Sequence, residues 1–564
     1  MRTAAAVRRL AFRGAMLASR ARFWRPLARH AERPAEAQAA VLTRILARNQ
    51  ATEFGVAHRF ASVSTPDQFR AHVPLQQYES LRAYVERQRL TGAPALTAEA
   101  PIFYAQTSGS TGAPKYIPVT ATTLKLHREE QALFTYLQYR ARPEAFAGTA
   151  WGIMGAAVEG RLDSGHAVGS VSGYLYESLP TALRSRFVVP PAVSSIEDYQ
   201  TKYLVILRLA LASADITYLG SPNPSTFVRL LDLLNERRDD LACSLETGSL
   251  APLGGPGGLD ALDRGLWAEL AARITKQRAR AAQLRTSKRL TYADLWPGIR
   301  LLTTWTGGSC GVALDALRRV LPRDCSVMEL GYQATEVRGT LALECEAAGG
   351  IPPLHHHYFE FVPQDRWEAD QPSYLGLADL EPGQRYYVVI TTAAGLYRYV
   401  MNDIIEVTGR FRNTPLLRFV QKGRGVTSLT GEKLYESQAI EAVQAAAHAL
   451  GVEVSFFLLV ADHAVSGYHL YVETGPGLPA TSPPAPTALA ATMDGRLTEL
   501  NIEYRSKRAS ARLAPLAVSR LRAGSAEAYK ASCVQQGQRE GQFKPRVLQY
   551  RKDLAWPVER YVID

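Results

Sequence analysis

The stretch that most constrains this chain is Thr107 to Lys115, TSGSTGAPK, a Ser/Thr/Gly loop that ends in lysine and is built to hold a polyphosphate. Gly109 and Gly112 let the backbone approach phosphate oxygens closely. Backbone amides, the hydroxyls of Ser108, Ser110 and Thr111, and the ammonium of Lys115 supply donors and positive charge. The spacing departs from the P-loop pattern G-x-x-x-x-G-K-[ST]: Pro114 precedes Lys115, and Tyr116 rather than Ser or Thr follows it. A P-loop nucleotidase is therefore disfavoured.

The loop resembles the phosphate loop of the adenylate-forming superfamily of acyl-CoA synthetases, luciferases and peptide-synthetase adenylation domains. Two further elements follow in the order that superfamily uses. Tyr332 to Glu336, YQATE, is similar to its aromatic-x-x-Thr-Glu signature. By that resemblance Tyr332 stacks on adenine, Thr335 meets the α-phosphate or the acyl carboxylate, and Glu336 holds Mg²⁺, a hard cation that prefers oxygen ligands. Upstream, Trp305 to Ser309, WTGGS, ends the apolar run IRLLTTW, and Gly307 and Gly308 let a nucleotide base lie close to backbone. Gly395 to Asp403, GLYRYVMND, follows the β-rich run RYYVVITT and places Asp403 where the superfamily binds the ribose hydroxyls.

The segment around Val388 to Phe419 narrows the resemblance to the Gretchen Hagen 3 (GH3) family of acyl-acid amido synthetases, which has plant and bacterial members. The likeness extends to TEFG (Thr52 to Gly55), FRAHVPLQQYESL (Phe69 to Leu81), YFEFVP (Tyr358 to Pro363), ELNIEYRSKR (Glu499 to Arg508) and GQFKPR (Gly541 to Arg546). It runs from about residue 40 to the C-terminus. Plant members carry a basic residue and a glycine where this chain has Val400, Met401 and Asn402, so the turn before Asp403 differs.

The resemblance implies an α/β fold. It consists of a large N-terminal adenylate-forming domain of β-sheets with flanking helices, and a smaller, mobile α+β C-terminal domain. We place an Arg-rich segment at 1–35, the adenylation domain at 36–421, a hinge at 422–434 and the C-terminal domain at 435–564. Gly423, Gly425 and Gly431 can absorb a hinge rotation between two half-reactions. Lys544 is similar to the mobile lysine of the adenylation step, Lys433 is a second candidate beside the hinge, and Arg418 joins the nucleotide contacts. The implied reaction is ATP-dependent adenylation of a carboxylic acid, followed by amide formation with an amino acid and release of AMP and pyrophosphate. An acyl-CoA ligase shares the first half-reaction and its motifs. A non-catalytic nucleotide-binding protein fits less well, because Lys115, Glu336 and Asp403 are all present.

The residues read alone agree with this architecture. At 564 residues the chain exceeds one compact core. Short β-rich runs such as TAWGIMG and ITYLG alternate with helical patterns such as IEDYQTKYLVILRLALAS, which argues α/β. Residues 36 to 48, EAQAAVLTRILAR, carry apolar positions at helical spacing. APLGGPGGLD (Ala251 to Asp260) and LPATSPPAPTA (Leu478 to Ala488) read as exposed loops.

Charge bears on partners. The formal charge is +12, but residues 1 to 31 hold eight arginines and no acid, so the remainder carries only +4. No nucleic-acid footprint is expected there. The arginine-rich start reads as a solvated helix packed on the catalytic domain in preference to a targeting segment. No run of about twenty apolar residues predicts a membrane span. Five cysteines without a CxxC pair fit a reducing cytoplasm better than a disulfide framework or zinc site. His355, His356 and His357 suggest a metal site less than a wall of the acid or amine pocket, since neighbours on a strand face opposite ways.

Overall fold

The computed structural model describes residues 2–107, 114–196, 198–254, 264–285, 288–307, 310–423, 425–452, 454–474, 486–535 and 546–563. These divide into two compact units. The first draws on 1–106, 116–308 and 313–420, and the second on 107–115, 309–312 and 421–564.

The first unit opens with the helix Arg2–Ser19, a π-helical turn Arg20–Trp24 and the helix Arg25–His30. Arg13, Arg20, Arg22, Arg25 and Arg29 face solvent while Met16 and Leu27 are buried, so the helical period sorts charge from apolar surface. Phe12 stacks on Phe146 with ring centres 5.3 Å apart, and the Arg140 guanidinium lies 4.6 Å above the Trp24 ring. The arginine-rich start is thus a helix packed on the body. Next comes the helix Pro34–Asn49, which buries Val41, Leu42, Ile45 and Leu46, the apolar stripe expected there.

Two sheets position the chemistry. A parallel sheet orders its strands Thr149–Gly152, Ile216–Gly220, Leu301–Thr304 and Ser326–Glu329. Trp151, Phe227, Tyr292 and Trp296 pack edge to face in its core, as buried rings prefer. The other is a six-stranded antiparallel sheet in which Tyr358–Pro363 pairs with Arg385–Thr391, and that strand with Tyr399–Phe411. A buried ion cluster ties its motifs together. Glu360 Oε1 accepts from Arg70 Nε at 2.9 Å and Glu360 Oε2 from Arg398 Nε at 3.1 Å. Three sequence segments read as family resemblance therefore meet at one carboxylate.

The second unit is α+β. Its sheet runs Ala517–Arg520, Gly467–Thr474, Val454–Asp462, Leu548–Tyr550, with the central pair antiparallel and both outer pairs parallel. Strand alternation splits the core: Leu459 and Ala461 pack with the helix Glu436–Leu450, whereas Phe456, Leu458 and Val460 pack with Tyr529 and Trp556. Gly425 and Gly431 take positive φ, as does Lys433 at 44°. No helix among the described residues is long and apolar enough to cross a membrane. Most of the proline-rich excursion and of the glycine-rich loop, from 255, lies outside the described residues.

Candidate functional site

The parallel strands deliver their residues at their C-terminal ends, the side where open α/β sheets bind ligands. Leu301–Thr304 runs into Trp305 to Gly307, and Ser326–Glu329 runs into Gly331 to Glu336. Glu329 pins the two turns together. Its carboxylate accepts from the Thr306 amide at 2.6 Å, from the Thr306 hydroxyl, and from the Gly331 amide at 3.0 Å. Burial nevertheless pushes the Glu329 carboxyl above its ordinary range, against the pull of those donors. Trp305 Nε1–H adds a bond to the Gly331 carbonyl at 3.1 Å.

Tyr332 stands on this frame. Its hydroxyl donates to Asp403 Oδ2 at 2.7 Å, and its ring stacks on Phe419 at 5.8 Å with planes 13° apart. Burial and the neighbouring Asp403 carboxylate push the Tyr332 phenol well above its ordinary value, so it stays a donor. The ring fits because Gly339 has no side chain: a Cβ there would fall 2.1 Å from the Tyr332 ring.

Asp403 is aimed by an irregularity in its strand. Tyr387 pairs with Ile404 and Val389 with Val400, so Val388 alone faces residues 401–403. Asn402 takes φ 51° inside this bulge, the left-handed region that Asn tolerates better than most residues. It fills the conformational role of the glycine that the plant pattern leads one to expect there.

Thr335 and Glu336 line a small cavity with Thr123, His127, His357 and Thr392. Beside it the helix Ala121–Ala141, capped by Thr120, turns Glu130 inward. Glu130 Oε1 lies 2.9 Å from His357 Nε2 and 3.1 Å from His356 Nδ1. The expectation that adjacent histidines diverge is corrected here: these residues form a turn before the strand Tyr358–Pro363, so two rings converge on one carboxylate. His355 instead stacks on His30 at 5.4 Å, and burial lowers its pKa to about 2.

Lys115 is buried at the start of the strand Lys115–Val119, and within the second unit its ammonium lies 3.4 Å from the Tyr435 hydroxyl. The Lys433 carbonyl accepts from Asn501 Nδ2 at 3.1 Å. Arg418 is exposed and pairs with Glu406 at 2.8 Å. Ser108, Gly109, Ser110, Thr111, Gly112, Gly308, Ser309 and Lys544 lie outside the described residues.

Sequence reasoning missed Glu329 and Glu130. Glu130 had a signal: it sits one helical turn before Leu133 and Phe134 and two before Leu137, on the buried stripe.

Residues 25–325 match the GH3 family N-terminal domain, 351–422 its central domain and 437–552 its C-terminal domain. The chain belongs to the GH3 family. Among GH3 proteins it is 26% identical to a probable indole-3-acetic acid-amido synthetase, GH3.2, of Oryza sativa subsp. japonica, over 91% of this chain and 88% of that one. It is also 26% identical to the indole-3-acetic acid-amido synthetase GH3.15 of Arabidopsis thaliana, over 72% of this chain and 71% of that one. A solved structure of an AtGH3.15 acyl acid amido synthetase in complex with 2,4-DB shares the GH3 fold. Its TM-score is 0.64 at 20% identity, covering 96% of each chain.

Proposed function

We propose that this GH3 chain is a ligase that activates a carboxylic acid with ATP and transfers the acyl group to the amine of an amino acid. The observation that carries the reading is the hydrogen bond from Tyr332, in the turn after a parallel strand, to Asp403, in the bulge of an antiparallel one, 71 positions apart in sequence. It joins two residues whose expected roles, adenine stacking and ribose binding, belong to one nucleotide.

In the first step a carboxylate oxygen bonds the α-phosphorus, the bond to pyrophosphate breaks, and an acyl-adenylate remains. In the second an amine nitrogen bonds the acyl carbon, the bond to AMP breaks, and the amine loses a proton. Such chemistry asks the protein for positioning and charge neutralisation more than for a nucleophile. Asp403 takes the ribose hydroxyls, the Tyr332 ring the base, and Gly307 and Gly308 leave room beside it. Thr335 orients the reacting carboxylate. Lys115 and the loop residues Ser108, Gly109, Ser110, Thr111 and Gly112 take the departing phosphates. Lys544, with Lys433 as a second candidate, supplies a further cation to the adenylation step. Arg418, bonded to Glu406, neutralises charge nearby.

The oxygen donors at Glu336 and Thr335 fit Mg²⁺, with Glu336 as the protein ligand; the ion would neutralise phosphate charge. A cytoplasmic setting suits an ATP consumer in which no disulfide joins the five cysteines.

The test is ATP–pyrophosphate exchange with pooled carboxylic acids. We expect acid-dependent exchange in the parent and its loss in Asp403→Ala with the fold retained. Exchange that is independent of added acid, or undiminished in the variant, would contradict the assignment.

A further inference from the structure

The outward side of the N-terminal helices carries charge that the nucleotide and acyl chemistry does not use. Residues 1 to 31 hold eight arginines and no acid, and the first acids after them are already engaged: Glu32 pairs with Arg412, and Glu36 lies 3.5 Å from Arg33. Arg13, Arg20, Arg25 and Arg29 are exposed, and no ion pair among the described residues involves them.

The π-helical turn Arg20–Trp24 sets these four on one side. In an unbroken α-helix a step of five residues rotates the side chain by about 140°, which would carry Arg25 and Arg29 away from Arg13 and Arg20. Here the Arg25 amide bonds back to the Arg20 carbonyl, five positions earlier, and the wider turn returns Arg25 to the side of Arg20. Arg13, Leu17 and Arg20 share a face at steps of four and three, as do Arg25 and Arg29 at a step of four. The inward side keeps the same phase: Phe12, Met16, Phe23, Leu27 and Ala31 all pack in the core. Four guanidinium groups thus stand in a row along about 24 Å of helix. Single π-helical turns are rare and frequently mark functional sites.

The chemistry of the row selects its partner. The exposed positions from 11 to 29 hold only arginine, alanine, glycine and Leu17, which is 58% exposed. No amide or hydroxyl stands among them to read a base edge, and Phe12, Phe23 and Trp24 are packed on the core rather than offered as stacking platforms. A protein partner needs large anchors seated in pockets, and alanine and glycine provide none. An anionic lipid surface needs neither, since it takes up basic side chains by charge and admits a single apolar one between headgroups.

We propose that this face docks the protein on an anionic membrane surface, with Arg13, Arg20, Arg25 and Arg29 at the lipid headgroups and Leu17 entering between them. The buried side of the same helices holds the first unit to that surface.

The experiment sediments the full chain with vesicles of phosphatidylcholine alone and of phosphatidylcholine mixed with phosphatidylserine, at low and at raised salt. The parent should bind the mixed vesicles only, and raised salt should release it. Each arginine near an anionic leaflet raises partitioning about fivefold, so Arg20→Gln/Arg25→Gln should bind about 25-fold more weakly with Tm unchanged. Leu17→Ala should weaken binding while leaving its salt dependence intact. The lipid and salt comparisons need no variant, so a misfolded variant leaves the proposal exposed. Equal binding to both vesicles, binding to neither, or loss of the protein from mixed vesicles to added duplex DNA would overturn it, as would undiminished binding in a folded Arg20→Gln/Arg25→Gln.

Discussion

The Tyr332 hydroxyl donates a 2.7 Å hydrogen bond to the buried carboxylate of Asp403. One residue comes from the turn after a parallel strand, the other from a bulge in an antiparallel one. Their meeting makes the orientation of Asp403 depend on a phenol far away in sequence. Tyr332→Phe keeps the ring and deletes the donor. Loss of a hydrogen bond to a charged group is worth about 1.5–3 kcal/mol. The KM for ATP should therefore rise about 10- to 100-fold, with Tm falling modestly. Steady-state AMP release against ATP concentration checks this; an unchanged KM would separate Tyr332 from nucleotide binding.

Gly339 is required by the same ring. A methyl group there would sit 2.1 Å from Tyr332, so Gly339→Ala must move the aromatic side chain. Overpacking of this type costs about 1–3 kcal/mol. We expect a lower Tm together with loss of acid-dependent AMP release, read by thermal melts and the AMP assay on one preparation.

Asn402 provides a conformational test. At φ 51° a β-branched residue is disfavoured while glycine is at ease. Asn402→Val should cost about 1–2 kcal/mol and raise the KM for ATP by displacing Asp403. Asn402→Gly should preserve both. Equal behaviour of the two variants would show that the left-handed turn does not govern the site.

Acid should weaken the first unit in two stages. Burial holds His355 at about 2 against an ordinary 6.5, so below pH 6.5 the unfolded chain binds a proton that the folded one does not. That term is fully present above pH 6.5 and is lost as pH falls, by up to about 1.4 kcal/mol per pH unit. Glu130 is held well below 4.5, so its contribution survives to pH 4.5 and disappears only at lower pH. Chemical denaturation between pH 7 and 4.5 should show a shallower decline in His355→Phe than in the parent. Parallel slopes would contradict the assignment.

Much of the architecture was legible because its signals were local. Apolar spacing over 36–48 gave the helix Pro34–Asn49, and the arginine-rich start became helical, with Arg13, Arg20, Arg22, Arg25 and Arg29 facing solvent. Motif order alone groups Tyr332 with Asp403, and the two are hydrogen-bonded in the fold. What stayed hidden depended on distant partners. Glu360 looked like part of a family motif but serves as an anchor for Arg70 and Arg398. Glu130 looked like one acid in a charged helical run, and its partners His356 and His357 lie more than 220 positions away. The histidines converge because they occupy a turn, which strand-based reasoning did not anticipate. Arg418 pairs with Glu406 twelve positions before it, across a hairpin that sequence order does not reveal.

The central claim is transfer of an adenylated acid to an amine, and product mass tests it most directly. The purified protein is incubated with ATP, Mg²⁺ and pooled aromatic and aliphatic acids, with amino acids in one arm and CoA in the other. The account predicts AMP together with amide masses that appear only when amino acids are present. Thioester masses appearing only with CoA would contradict it.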